Sequence, residues 1–166
     1  MKNYIAALFI VAVAILVDQY TKYLAVVNLK DDAAIVLWDG VFELTYLENR
    51  GAAFGLLQNR QIFFICITFV IFAFILYCYI RIPKTGRYLP LRICGIFIVS
   101  GAVGNLLDRI RLGYVVDFFY FRLIDFPVFN VADIYVTVSF IVLLILVFFC
   151  YKEEELQFLG KKGTET

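Results

Sequence analysis

The sequence predicts an all-α membrane protein: four transmembrane helices, with a small β-sheet cradle and a short interfacial helix on the outer face. Three observations point there. Of 166 residues, 63% are hydrophobic, well above a soluble domain. The apolar residues gather into four runs near the roughly 20 residues that a spanning helix needs. Basic residues collect on one side of those runs. One domain, 1–166, accounts for the whole chain.

The runs cover about 4–27, 62–80, 89–107 and 131–151. The first begins like a signal peptide, because Lys2 precedes an apolar core. It runs too long for an h-region and carries Asp18 and Lys22 where a cleavage site should approach, so it reads as a retained helix. The loop between spans two and three holds Arg81, Lys84 and Arg87 without an acid, and Arg92 follows. The long loop 28–61 has five acids against Lys30, Arg50 and Arg60. By the positive-inside rule both termini are cytoplasmic and the two longer loops face outward.

Those outer loops carry structure. Residues 33–38 and 41–47 flank Asp39-Gly40, a two-residue hairpin signal. Residues 51–57 read as the interfacial helix and 115–121 as a strand. The charged tail 152–166 reads as solvated or frayed. The aromatics Phe42, Tyr46 and Phe118 to Phe121 suit an interfacial belt.

Composition excludes several chemistries. There is no histidine, which removes Ser-His-Asp and Cys-His arrangements and the usual zinc sites. Cys66, Cys78, Cys94 and Cys150 lie in apolar runs without C-x-x-C spacing and read as buried spectator thiols. Net charge is +1, so nothing draws the chain toward nucleic acid. No metal and no cofactor are expected.

Ionisable residues inside membrane spans are costly and point to function. Asp18 and Lys22 lie in the outward half of span one. Asn105, Asp108 and Arg109 close span three, Asn130 and Asp133 open span four, and Asp117 lies between them. All gather near one leaflet. Asp18 and Lys22, four apart, share a helix face, so an ion pair between helices explains them as well as a site does. Asp108-Arg109 with Arg111 equally suits an interfacial charge cluster, and Asn49 before Gly51 a turn. Gly101 and Gly104, three apart on one helix face, pair two small residues, which close helix packing explains.

Asp117 and Asp133 resist such readings. Each follows apolar residues, and neither has a basic residue within three positions. Burial raises a carboxyl group's proton affinity. Two buried carboxyls that meet share one proton, the arrangement that suits water-mediated amide hydrolysis. Three rivals stand beside it. A small proton-coupled membrane transporter also uses intramembrane acids, but would scatter them through both leaflets. A Ser/Lys peptidase would use Ser100 and Lys22, with Ser100 a turn or more too deep. A non-enzymatic scaffold would tolerate Asn at both aspartates.

Five blocks give the chain a resemblance: Asp18-Gln-Tyr-Thr-Lys22, Asn49-Arg-Gly-Ala-Ala-Phe54, Gly101-Ala-Val-Gly-Asn-Leu-Leu-Asp-Arg109, Val115-Val-Asp-Phe118 and Phe129-Asn-Val-Ala-Asp133. In that order, over all but the charged tail, the chain resembles the bacterial lipoprotein signal peptidases (type II signal peptidases). The resemblance implies an aspartic endopeptidase of the bacterial cytoplasmic membrane, expected as a monomer, with Asp117 and Asp133 as the catalytic pair. It implies supporting or substrate-binding roles for Asn49, Gly51, Asn105, Asp108, Arg109 and Asn130, with Asp18 and Lys22 supporting. The implied substrate is a diacylglyceryl-modified prolipoprotein, met beside membrane lipid and cut just before its lipidated lipobox cysteine. Outer-loop aromatics, Phe54 among them, would line an acyl-chain groove. One departure is Ile134, where relatives often carry a small or hydroxylated residue; the pH profile is where it would tell.

Overall fold

The computed structural model describes residues 2–51, 57, 58 and 60–159. Four helices are long and apolar enough to cross a membrane: α1 (Lys2–Leu29), α2 (Gln61–Arg81), α3 (Leu89–Leu112) and α4 (Val131–Ile145), the last continuing through a π-helical turn over Leu146–Cys150. Three strands lie between them: β1 (Ile35–Trp38), β2 (Phe42–Asn49) and β3 (Val115–Tyr120).

Local chemistry sets the helix ends. Pro90 sits in the first turn of α3, where its missing N–H leaves no gap, and Gly113 stops the helix in the left-handed region at φ 78°. α4 opens with a capping box: Asn130 Oδ1 accepts the Asp133 N–H while the Asp133 carboxylate accepts the Asn130 N–H. α3 runs beyond the expected end at 107, so Asp108 and Arg109 lie on the helix itself.

α3 is the central helix, with α1, α2 and α4 packed around it. It buries the most side chains and α1 buries a row from Ala7 to Leu29, whereas α2 buries none. For α2 the bilayer replaces protein as the apolar surroundings. The same fact corrects the reading of the thiols: Cys94 is buried, but Cys66 and Cys150 are exposed at the protein surface. Gly101 and Gly104 do mark a close helix crossing. A methyl group at Gly101 would run into the Ala132 carbonyl oxygen, and one at Gly104 into the Asp18 carboxylate.

The strands form one antiparallel sheet in the order β1-β2-β3. The expected hairpin forms, with a different turn. Trp38 pairs with Phe42, leaving three loop residues, and of Asp39 and Gly40 only Gly40 has positive φ (69°). A two-residue type I′ turn needs both. The sheet stands on the end of α1, where Ala25 and Leu29 pack with Val116 and Phe118. Phe118 therefore belongs to a core and not to an interfacial belt. Of the expected interfacial helix over 51–57, residues 52–56, Phe54 among them, lie outside the described residues.

The tail departs from the sequence reading as far as Leu159. Arg87 donates to both oxygens of Glu155, at 2.9 and 3.2 Å, and Tyr88 stacks on Tyr151 with ring centroids 5.6 Å apart. These contacts fold Glu153–Leu159 into 3-10 turns beneath α2. Charge alone suggested solvation; the aromatic pair and the guanidinium–carboxylate fork win it back.

Candidate active site

Asp133 is fixed by the start of its own helix. Its Oδ2 accepts the Asn130 N–H at 3.1 Å, and its Oδ1 accepts from Asn105 Nδ2 at 2.8 Å. Asp117 reaches the same place from the sheet. On β3 it pairs with Leu47 of β2, and the pleat turns it inward to 1% exposure. Its Oδ1 accepts from Asn130 Nδ2 at 2.6 Å and its Oδ2 from Asn49 Nδ2 at 2.8 Å. One residue, Asn130, thus touches both acids: its side chain holds Asp117 and its backbone holds Asp133.

Burial, and then the neighbouring Asp133 charge, push the Asp117 carboxyl up to about 7, against the bonds from Asn49 and Asn130. Asn49 serves two ends, because its Oδ1 also accepts the Gly51 N–H at 3.0 Å. The same side chain therefore makes the turn before Gly51 and touches Asp117.

A buried network supports this pair from below. Lys22 lies 3.0 Å from the carboxylates of both Asp18 and Asp108 and donates to Asn105 Oδ1 at 2.9 Å. Three acceptors meet the three protons of one ammonium. With its oxygen held by Lys22, Asn105 must aim its nitrogen at Asp133. Asp18 Oδ1 accepts the Ala132 N–H at 2.9 Å, tying α1 to the first turn of α4, and Asp108 Oδ2 accepts the Val116 N–H at 3.3 Å, tying α3 to β3. The Asp18–Lys22 ion pair that i,i+4 spacing suggested is real, and it belongs to the framework of the site.

A cavity of about 490 Å³ opens over the acids, lined by Asn49, Gly51, Arg109, Asp117, Asp133 and Ile134 together with Phe64, Phe126 to Phe129, Thr137 and Val138. Arg109 lies along its wall. The guanidinium sits 4.8 Å from the Phe64 ring centroid and 3.4 Å from the Gly51 carbonyl oxygen, while its Nε is buried without a partner.

Asn49, Gly51, Asp117, Asn130 and Asp133 come together here, with Arg109 along the wall and Asp18, Lys22, Asn105 and Asp108 in the network beneath. Sequence reasoning passed over Gln19, which donates to Asp18, to Asp108 at 2.9 Å and to the Gly104 carbonyl. An amide beside Asp18 inside a span was the available signal. Thr137, one turn after Asp133 on the same helix face, was the other. Ser100 is fully buried, with its hydroxyl donating to the Ile96 carbonyl at 2.8 Å. Lys22 is engaged elsewhere, so no Ser/Lys pair forms.

Fold and site together define a multi-pass membrane protein with two buried carboxyl groups at one end of its helical bundle. The family model described as signal peptidase (SPase) II matches residues 10–149, and the chain belongs to that family. A lipoprotein signal peptidase of Caldanaerobacter subterraneus subsp. tengcongensis is 46% identical over 144 residues, 86% of this chain and 96% of that protein. One from Clostridioides difficile is 47% identical over 144 residues, covering 86% and 95%. One from Brevibacillus brevis is 48% identical over 139 residues, covering 84% and 92%. Among solved structures, a bacterial membrane enzyme determined by the in meso method at 2.3 Å resolution matches with a TM-score of 0.76 at 31% identity, over 86% of this chain and 87% of that one. A second, at 1.9 Å, gives 0.75 at 30%, over 88% and 94%. Nothing in these comparisons favours a transporter.

Proposed function

We propose that the chain is an aspartic endopeptidase that removes signal peptides from diacylglyceryl-modified prolipoproteins, cutting just before the lipidated cysteine, with Asp117 and Asp133 as its catalytic residues. The observation that carries this reading is the convergence of both carboxyl groups on Asn130 beneath an open cavity. The substrate class is supported by family membership and by relatives named lipoprotein signal peptidase.

The two acids share one proton. The ionised member takes a proton from a water molecule, whose oxygen attacks the scissile carbonyl carbon. The protonated member donates to the carbonyl oxygen as negative charge builds there. Collapse of the tetrahedral intermediate passes a proton to the leaving nitrogen, and the C–N bond breaks. Asn49, Asn105 and Asn130 orient the carboxyls. Gly51 and Arg109 face the substrate, and Asp18, Lys22 and Asp108 hold the elements in place. The chemistry calls for no cofactor, and since every group comes from one chain, a monomer suffices.

The site sits at the sheet end of the bundle, and Arg81, Lys84 and Arg87 mark the opposite end. The positive-inside rule then puts both termini in the cytoplasm and the site near the outer face of the bacterial inner membrane, where a cysteine-linked diacylglycerol would bring the scissile bond. The decisive experiment is cleavage of a lipidated lipobox peptide by purified wild type, Asp117→Asn and Asp133→Asn. Each change should slow cleavage by about 10²–10⁴-fold while the protein still inserts. Near-normal turnover by either variant would end the proposal.

A further inference from the structure

A second groove lies away from the carboxyl pair. α1 and α2 each pack on α3 but make almost no contact with one another. Between them runs a cavity of about 600 Å³, reached by Tyr4 and Val11 of α1, Phe72 and Tyr79 of α2, and Gly95 and Val99 of α3. Apart from the tyrosine hydroxyls, its lining is hydrocarbon. Water has no partners in such a space, and leaving it empty forfeits dispersion contacts along every wall. The occupant is therefore apolar.

Its length and mouth say more. Along α1 the groove runs from Tyr4 to Ile15, about 16 Å at roughly 1.5 Å per residue. That is about half the roughly 30 Å hydrocarbon core, the depth of one leaflet and too short for a spanning peptide helix. The mouth lies at the end opposite the acids. There Tyr4 and Tyr79 face each other with ring centroids 6.4 Å apart, and Lys84 Nζ sits 4.4 Å from the Tyr4 ring centroid. Arg92 stands one turn before the lining residue Gly95 on the same face of α3. Among the described residues neither Lys84 nor Arg92 enters a salt bridge. An apolar slot one leaflet deep, with two unpaired cations at its mouth, matches a lipid that has an acyl chain and an anionic head group.

We propose that the groove between α1 and α2 is a binding site for an acidic glycerophospholipid of the leaflet opposite the carboxyl pair. One acyl chain fills the slot and the phosphate region lies between Lys84 and Arg92. The lipid completes the packing of two helices that protein contacts leave apart. At about fivefold per cation, two cations give a preference of about 25-fold for an acidic over a zwitterionic lipid.

The full-length protein, stripped of lipid in detergent, would be titrated with dioleoyl phosphatidylglycerol or dioleoyl phosphatidylcholine, and bound lipid counted by native mass spectrometry. The expected result is one retained acidic lipid at the stated preference. Lys84→Gln with Arg92→Gln should bring the preference close to one, with cleavage of a lipidated peptide unchanged. Val99→Trp should expel the lipid of either kind. Equal retention of both lipids by wild type, an unchanged preference in the double variant, or displacement of the lipid by an apolar signal-peptide helix would overturn the assignment. Should Val99→Trp fail to insert, the double variant, which alters only the mouth, decides alone.

Discussion

At Asn130 a side-chain amide reaches Asp117 at 2.6 Å while the same residue closes the capping box with Asp133, so one residue sets how the two acids face each other. Their shared environment has a measurable consequence. Asp117 holds its proton up to about 7, above the ordinary carboxyl range, because it is buried beside a second acid. A raised value means that the folded protein binds the proton more tightly than the unfolded chain. Its contribution to stability is full below the ordinary carboxyl range and is lost as pH rises through about 7. The singly protonated pair declines on the same side. Cleavage of a lipidated peptide should therefore fall as pH climbs past about 7, which a pH–rate profile in detergent checks. A profile flat to pH 9 would argue against a shared proton. Ile134, lining the cavity beside Asp133, is the neighbour whose replacement by a hydroxylated residue would test local tuning of that profile.

Among the elements, α3 and α4 carry the heaviest structural demand, because both the buried network and the acids depend on how closely they approach α1. Gly104 permits that approach. A methyl there meets the Asp18 carboxylate, an oxygen already engaged by Lys22 and Gln19. Gly104→Ala should lower stability by about 1–3 kcal/mol, the usual penalty for overpacking, and slow cleavage through the displaced network. Thermal unfolding and turnover of the same preparation measure the two effects. The pair of small residues, Gly101 and Gly104, was legible in the sequence, but as a packing motif only. That its partner would be a charged carboxylate required the crossing to be seen. Strand positions were legible too, through alternation and turn residues. The turn of the β1–β2 hairpin was not, because Asp39 stays out of the left-handed region and the register shifts before Trp38.

Across the whole molecule, Lys22 is the charge that joins three helices and, through Asn105, the site. It touches Asp18 on its own helix and Asp108 and Asn105 on α3, and Asp18 reaches α4 through the Ala132 N–H. Replacing it with Met would leave two buried carboxylates without a counter-charge. Removing one partner of a buried pair costs about 3–5 kcal/mol. Lys22→Met should therefore lower the midpoint of thermal unfolding and the inserted yield before it alters the chemistry, while Lys22→Arg should recover part of the loss. A Lys22→Met protein as stable as wild type would show that the network is dispensable.

Sequence alone determined the four helices, their likeness to a known family, the sheet and the identity of the polar residues. A bilayer demands long apolar runs, and any polar residue inside one stands out against them. Tertiary structure decided the pairings. Asp117 and Asp133 had no base nearby in the chain, and their positive neighbours came from α1 and α3, as Lys22 and Arg109. The tail folded back because Arg87 and Tyr88, more than sixty residues away in the chain, were waiting for it. Spacing fixes which residues share a face; only packing, which brings distant segments within 3 Å, fixes what that face meets.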